Sequence, residues 1–407
     1  MHKHRLLPWL IILPLALLCA LLLASNSGRI HAGNLPPTAS LLLHYSFLPR
    51  LATGILAGMA LATAGLLFQQ VLRNPLAEPA TLGIAAGANL AMSAAIILFP
   101  GLLVFGLTRL ALAGATLTAL MLYLLITRQG LDPLKVILTG MVISLYGNAL
   151  NTLMVLFNHD YLSDLFSWQA GSLNQSGWSV TQFLLWPVLL LMALSALLAR
   201  PLVLMGLSDQ SASGLGVSVT KIRIAALGVA VALSALITSQ VGIISFVGLA
   251  APALVRLAGV RRFTCQLIFT PLAGAGLLTL VDQLAQFLSP AGGDLPTGAL
   301  AGLLSAPLML MLLLRQRNPS LTPAPLASPV VRPLTRKKQI ALLLILLCAI
   351  ALSLLINRTP EAAGNPLDWR WPRMLVAPCA RASQAGAGLL VQRLTGPPLV
   401  TPDFLGV

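Results

Sequence analysis

The 407 residues are 57% hydrophobic and 9% charged, with a mean hydropathy of +0.90. Soluble domains carry about 25% charged residues, so a soluble globule is excluded and an all-α, polytopic membrane protein in a lipid bilayer is expected. The net charge of +15 sits in short breaks between apolar runs rather than on one solvated face, which argues against nucleic acid as a partner.

Met1–Arg5 is basic, and the apolar run Leu6–Ala24 after it is near the ~20 residues that span a bilayer. It reads as an uncleaved first helix, with a cleaved signal peptide as the alternative. Ser25–Ser46, with Asn34 and Pro36-Pro37, is too polar to span and reads as a loop with a short interfacial helix near Ala39–His44. The second span, about Leu48–Val71, carries Gly54, Ala57, Gly58, Ala60, Ala62, Ala64 and Gly65, small residues that let helices approach closely in lipid. Apolar segments follow at about 82–100, 102–126, 135–157, 181–199, 221–241, 243–258, 267–289 and 298–314, making ten spans. The breaks hold turn chemistry such as Pro100-Gly101 and Gly292-Gly293-Asp294-Leu295-Pro296.

Under alternating threading, one side collects Lys3, Arg5, Arg73, Arg128, Lys135, Lys221, Arg256, Arg261 and Arg262, among others, while the other side of this module holds Arg29 and Arg50. The positive-inside rule then puts the N-terminus in the cytoplasm. The expected organisation is a ten-helix module over 1–317, a Pro-rich cytoplasmic linker over 318–338, and the truncated start of a second module over 339–407. The last assignment rests on a repeat at an offset of 323: Pro49-Arg50 matches Pro372-Arg373, Gly65 matches Gly388, Gln69 matches Gln392, and Leu82-Gly83 matches Leu405-Gly406. Within the copy, Met374–Ala387 is foreign to the pattern, with Pro378 and Arg381 against a small-residue face, as two compensating reading-frame slips leave behind.

Cys19, Cys265, Cys348 and Cys379 are scattered and read as packing residues. No nucleophile–base pair, carboxylate pair, metal cluster or GxxxxGK[ST] sequence occurs. The chain is therefore expected to be neither an enzyme nor a holder of metal or cofactor, and energy for any transport must come from a partner or an ion gradient. Three groups of residues stand out. Arg73-Asn74-Pro75 and Glu78-Pro79 end the second span in a rigid turn. Ser208, Asp209, Ala212, Gly214 and Gly216 suit either short helices outside the membrane or a plain loop. Arg109 and Asp282 are ionisable residues within spans, where charge is costly and suggests either a pathway or internal pairing; for Arg109, snorkelling outward is the reading.

Leu48-Pro49-Arg50, the small-residue helix, Gln69-Gln70, Arg73–Pro79 and Leu82-Gly83 together resemble the bacterial iron-siderophore and vitamin B12 permease family of ABC importers. The resemblance continues through Gly242-Ile243-Ile244-Ser245-Phe246-Val247-Gly248-Leu249, Pro252, Arg256, Asp282, Leu295-Pro296-Thr297-Gly298 and Ala306-Pro307. It is nearest to hydroxamate-type members in which two halves share one polypeptide. It implies an inner-membrane permease that moves an iron(III)-siderophore by alternating access. The implied partners are a cytoplasmic ATPase subunit on the coupling loop at Asp209–Gly216, a periplasmic siderophore-binding protein for which Arg29 and Arg50 are contact candidates, with interfacial anchoring as the alternative role of these two arginines, and a second permease half. The alternatives are a gradient-driven secondary carrier, a non-transporting truncated fragment and, within the family, a haem or cobalamin permease.

Overall fold

The computed structural model describes residues 18–28, 36–75, 77–78, 82–129, 133–158, 165, 168–205, 214, 218–289 and 295–304, with isolated positions at 344, 376, 379, 383 and 386. The chain divides into two compact units, Met1–Leu308 and Met309–Val407. In the second, the described residues Leu344, Val376, Cys379, Ser383 and Gly386 are helical and exposed. Pro378 and Arg381, where the repeat is expected to break, lie outside the described residues.

Among the described residues the first unit is helical, without strands. Its elements are α1 (Leu18–Gly28), α2 (Pro36–Leu42), α3 (Leu48–Leu72), α4 (Ile84–Ile97), α5 (Leu107–Gln129), α6 (Pro133–Phe157), α7 (Ser179–Leu197), α8 (Ala199–Met205), α9 (Val219–Val241), α10 (Val247–Leu257), α11 (Phe263–Leu288) and α12 (297–304). Among the described residues, six helices are long and apolar enough to cross a membrane.

α3 is the axis of the bundle. It is apolar on every side, as a helix buried all round must be, and it packs against α11, α9, α10 and α7. In lipid, where apolar side chains gain little by burial against each other, close van der Waals approach must supply the cohesion. Two glycines permit it. A Cβ on Gly58 would overlap the carbonyl of Gly274 in α11, and one on Gly65 would overlap the backbone of Gly248 in α10. Backbone therefore lies on backbone at two levels of α3.

Three expected elements differ from the observed ones. The short helix expected near Ala39–His44 is longer and continuous with the next span: α2 runs through a π-helical turn, Leu43–Phe47, directly into α3. That wider turn falls just ahead of Pro49, whose ring would otherwise crowd the carbonyl four residues back. The run at 102–126 opens with a 3-10 turn, Pro100–Phe105, before α5. The apolar run 243–258 is not one helix. Gly242 and Phe246 both take positive φ, 78° and 71°, and Gly242–Ser245 lies outside any helix before α10 begins at Val247. Hydropathy cannot separate a buried helix from a buried extended segment of this length.

α6 and α7 turn broad apolar faces outward, with Leu145, Tyr146, Phe157, Trp186 and Leu190 exposed.

Candidate functional site

The residues singled out in the sequence gather at the two ends of α3. At its start, Arg50 and Asp282 are both buried, and the guanidinium is bidentate on the carboxylate: Nε donates to both oxygens at 3.1 and 3.0 Å, and Nη2 donates to Oδ1 at 2.9 Å. Asp282 also accepts from Thr297 Oγ1 at 2.7 Å and from Gln286 Nε2 at 2.7 Å. A buried ion pair is tolerated when its geometry is good and its remaining lone pairs are used, and both conditions hold here. Three sequence motifs, Leu48-Pro49-Arg50, the Asp282 helix and Leu295-Pro296-Thr297-Gly298, thus meet in one network. Around it, Asn26 Nδ2 donates to Gln283 at 2.9 Å, and the Thr53 and Thr181 hydroxyls lie 2.8 Å apart.

Arg50, read from the sequence as either a contact candidate for a binding protein or an interfacial anchor, is buried and bonded to Asp282 inside the bundle. Its position in the first turn of a helix that continues backward through α2 buries it. Arg109 lies in the first turn of α5 and is exposed. Arg29 falls outside the described residues.

Next to this network three chain breaks join at Gly171, Gly242 and Gly298. Gly298 N donates to Gly171 O at 2.9 Å and Ser172 N to Val241 O at 2.9 Å. A Cβ on Gly242 would overlap Trp168 O, and one on Gly171 would overlap Ile243 O. From this junction the non-helical segment Gly242–Ser245 leads to Gly248 in α10, which touches Gly65. Among the described residues, the peptide groups of Ile243 and Ile244 take no hydrogen-bond partner. Non-helical backbone at membrane depth persists only where protein buries it or where it lines a wet cavity. Ile243 and Ser245 are both partly exposed.

At the other end, α3 stops at Arg73, which takes the left-handed conformation (φ 48°) usually given to glycine at a helix C-terminus. A glycine could not supply what this side chain does. Arg73 Nη2 donates to Met205 O at 2.7 Å, and Gln70 Nε2 donates to Leu202 O at 3.0 Å, so the turn is fastened to the last turn of α8. On its other side Gln69 Nε2 donates to Gly248 O at 3.2 Å and Gln69 Oε1 accepts from Arg256 Nη1 at 2.7 Å. Asn74 O accepts from Ala77 N at 3.1 Å, and Pro75 lies within that turn. Glu78 Oε2 then accepts the N–H of Phe246, the strained residue that opens α10, at 3.2 Å. The turn therefore ties α3, α8 and α10 together. Pro79 lies outside the described residues, as do Ser208, Asp209, Ala212 and Gly216 of the expected coupling loop. Gly214 is helical and exposed.

Burial pushes the Glu78 carboxyl up from its ordinary 4.5 to about 7, against the opposing pull of the Phe246 N–H. With the folded value above the unfolded one, the stabilisation from holding it neutral is complete below pH 4.5 and is lost as pH rises through about 7. That loss is about 3 kcal/mol at ~1.4 kcal/mol per unit. Glu78→Gln keeps an acceptor for Phe246 without the charge. It is expected to melt with the parent protein at pH 5 and clearly above it at pH 8; equal melting at both values would remove Glu78 as the cause.

The FecCD transport family profile matches residues 6–315. The chain belongs to the FecCD transport family. It is 41% identical to the iron(3+)-hydroxamate import system permease protein FhuB of Salmonella typhimurium over 382 residues, 90% of this chain and 55% of that protein. The Escherichia coli FhuB is 40% identical over 90% of this chain and 57% of its own length. The chain thus spans about half the length of these relatives. The Fe(3+) dicitrate transport system permease protein FecD of E. coli is 36% identical over 66% of this chain and 84% of its own. A solved inward-facing metal-chelate type ABC transporter aligns with a TM-score of 0.67 and 28% identity, covering 75% of this chain and 99% of that one. With six spanning-length helices among the described residues, this family member is a multi-pass inner-membrane protein.

Sequence reasoning missed the partners. Thr297 lies in a quoted motif without an assigned role, and Gln286, one helical turn beyond Asp282, carried the available hint: a polar residue at i+4 from a buried acid. Nothing in the sequence pointed Glu78 to Phe246.

Proposed function

We propose that this chain is the permease of an ATP-driven importer of iron(III)-hydroxamate siderophores, with a periplasmic binding protein delivering cargo and a cytoplasmic ATPase working from the α8–α9 loop. The FhuB relatives support the substrate class. The observation that carries the mechanism is the fastening of the Arg73 turn to the end of α8. The loop an ATPase would push follows α8 directly, and the turn passes on any movement of α8 to α3 and, through Glu78 and Gln69, to α10. The non-helical segment Gly242–Ser245 leads from α10 to the junction at Gly171 and Gly298 beside the Arg50–Asp282 network, so a shift at one end has a route to the other. In this reading the ion pair and its neighbours hold the outer end of the pathway, Arg50 serves the bundle rather than the binding protein, and alternating access is a tilt of α10 against α3.

The test is iron(III)-hydroxamate uptake by bacteria lacking their own permease and expressing this chain, alone and together with a second permease half. Arg73→Ala is expected to lower uptake about tenfold, the effect of losing a charge-assisted bond of ~1.5 kcal/mol, at an unchanged level of chain in the membrane. Uptake that survives ATP depletion while the ion gradient is intact would establish a gradient-driven carrier instead.

A further inference from the structure

A cavity of about 160 Å³ lies between α3, α5, α6 and α9, and its walls are almost wholly apolar: Phe68 closes the floor, with Leu122, Val136, Ile224, Gly228 and Val231 around it. A cavity of this size with such walls stays dry and takes a hydrocarbon group of about six carbons. Two of its lining residues, Tyr123 and Gly228, are exposed on helices that are long and apolar enough to span a membrane. The occupant available there is a lipid chain.

The position of the cavity along the bundle adds a headgroup. Phe68 is four residues from the end of α3, and Val136 and Ile224 lie near the starts of α6 and α9. All three are within about two helical turns of the Arg73 end, where the glycerol and first methylenes of a phospholipid would lie. Lys135 immediately precedes Val136, and Lys221 lies one turn before Ile224; both are exposed. Basic residues flanking a pocket between membrane helices recognise anionic lipid headgroups. We infer that this cleft is a binding site for one anionic phospholipid, its phosphate on Lys135 and Lys221 and one acyl chain in the cavity, where it fills the space between α3 and the α5–α9 pair and steadies the end of α3 that carries the Arg73 turn.

Gly228 makes the inference testable, because a Cβ there meets no atom within 4 Å. Gly228→Leu should therefore occupy the cavity without displacing backbone. The full chain, purified in detergent and exchanged with phosphatidylglycerol or phosphatidylcholine, is examined for retained lipid by native mass spectrometry. The parent is expected to hold one phosphatidylglycerol in preference to phosphatidylcholine, Gly228→Leu to lose that preference, and Lys135→Ala and Lys221→Ala each to weaken retention about fivefold, the equivalent of ~1 kcal/mol per basic residue. If Gly228→Leu does not fold, Val231→Trp fills the same space from the next turn and reads the same way. Equal retention of both lipids by the parent, or undiminished phosphatidylglycerol on the filled variant, overturns the assignment and leaves ordinary annular lipid.

Discussion

Replacing Asp282 by alanine lowers the stability of the first unit by about 3–5 kcal/mol, the cost of leaving a buried guanidinium without its counter-charge. The carboxylate takes hydrogen bonds from Arg50, Thr297 and Gln286, so its loss also strands two neutral donors, each worth about 1 kcal/mol. The charge is the larger part. A paired variant tests the charge part: Arg50→Met combined with Asp282→Leu removes both charges and fills the space with apolar atoms, and should recover most of the loss. Thermal melting of the purified chain in detergent is the measurement. If the single and double variants melt together, the pair is incidental and the network cannot anchor one end of a pathway.

Gly65→Ala has the second large effect, and it arises from packing alone. The added methyl would overlap the backbone carbonyl, carbonyl carbon and Cα of Gly248. Backbone cannot swing aside as a long side chain can, so α3 and α10 must separate. Overpacking of this kind costs about 1–3 kcal/mol. The separation also pulls Gln69 away from Gly248 O and loosens its bond with Arg256, so transport should fall further than stability does. Gly177→Ala, where a Cβ meets nothing within 4 Å, is the matched control. Melting and uptake of Gly65→Ala equal to the control would mean that the two helices have slack there.

The residues that proved legible are those whose meaning is local. The small-residue face of α3 announced close helix packing, and Arg73–Pro75 announced a stop after α3, because sterics and missing N–H groups act within a few residues. Arg50 and Asp282 were each visible as charges in an apolar chain, but they stand 232 residues apart, and neither propensity nor periodicity carries information over that separation. Read singly, Arg50 was open between a partner contact and an interfacial anchor, and Asp282 between pairing and transport. Together in the fold they point at each other. The non-helical segment Gly242–Ser245 was hidden for a different reason: it lies in an apolar run that also suits a helix, and the break is visible only in the positive φ at Gly242 and Phe246.

By itself the sequence determined the solvent and the architecture class. A chain that is 57% hydrophobic and 9% charged must satisfy most of its backbone internally in lipid, and among the described residues it does so chiefly as a bundle of helices. Its motifs also carried the family. The tertiary structure decided what the motifs do to one another: the turn at Arg73 braces α8, Glu78 restrains the strained start of α10, and Asp282 gathers three distant segments around one carboxylate. These are contacts between groups far apart in the chain, made at a few ångströms in a medium that leaves no polar group indifferent to its neighbour.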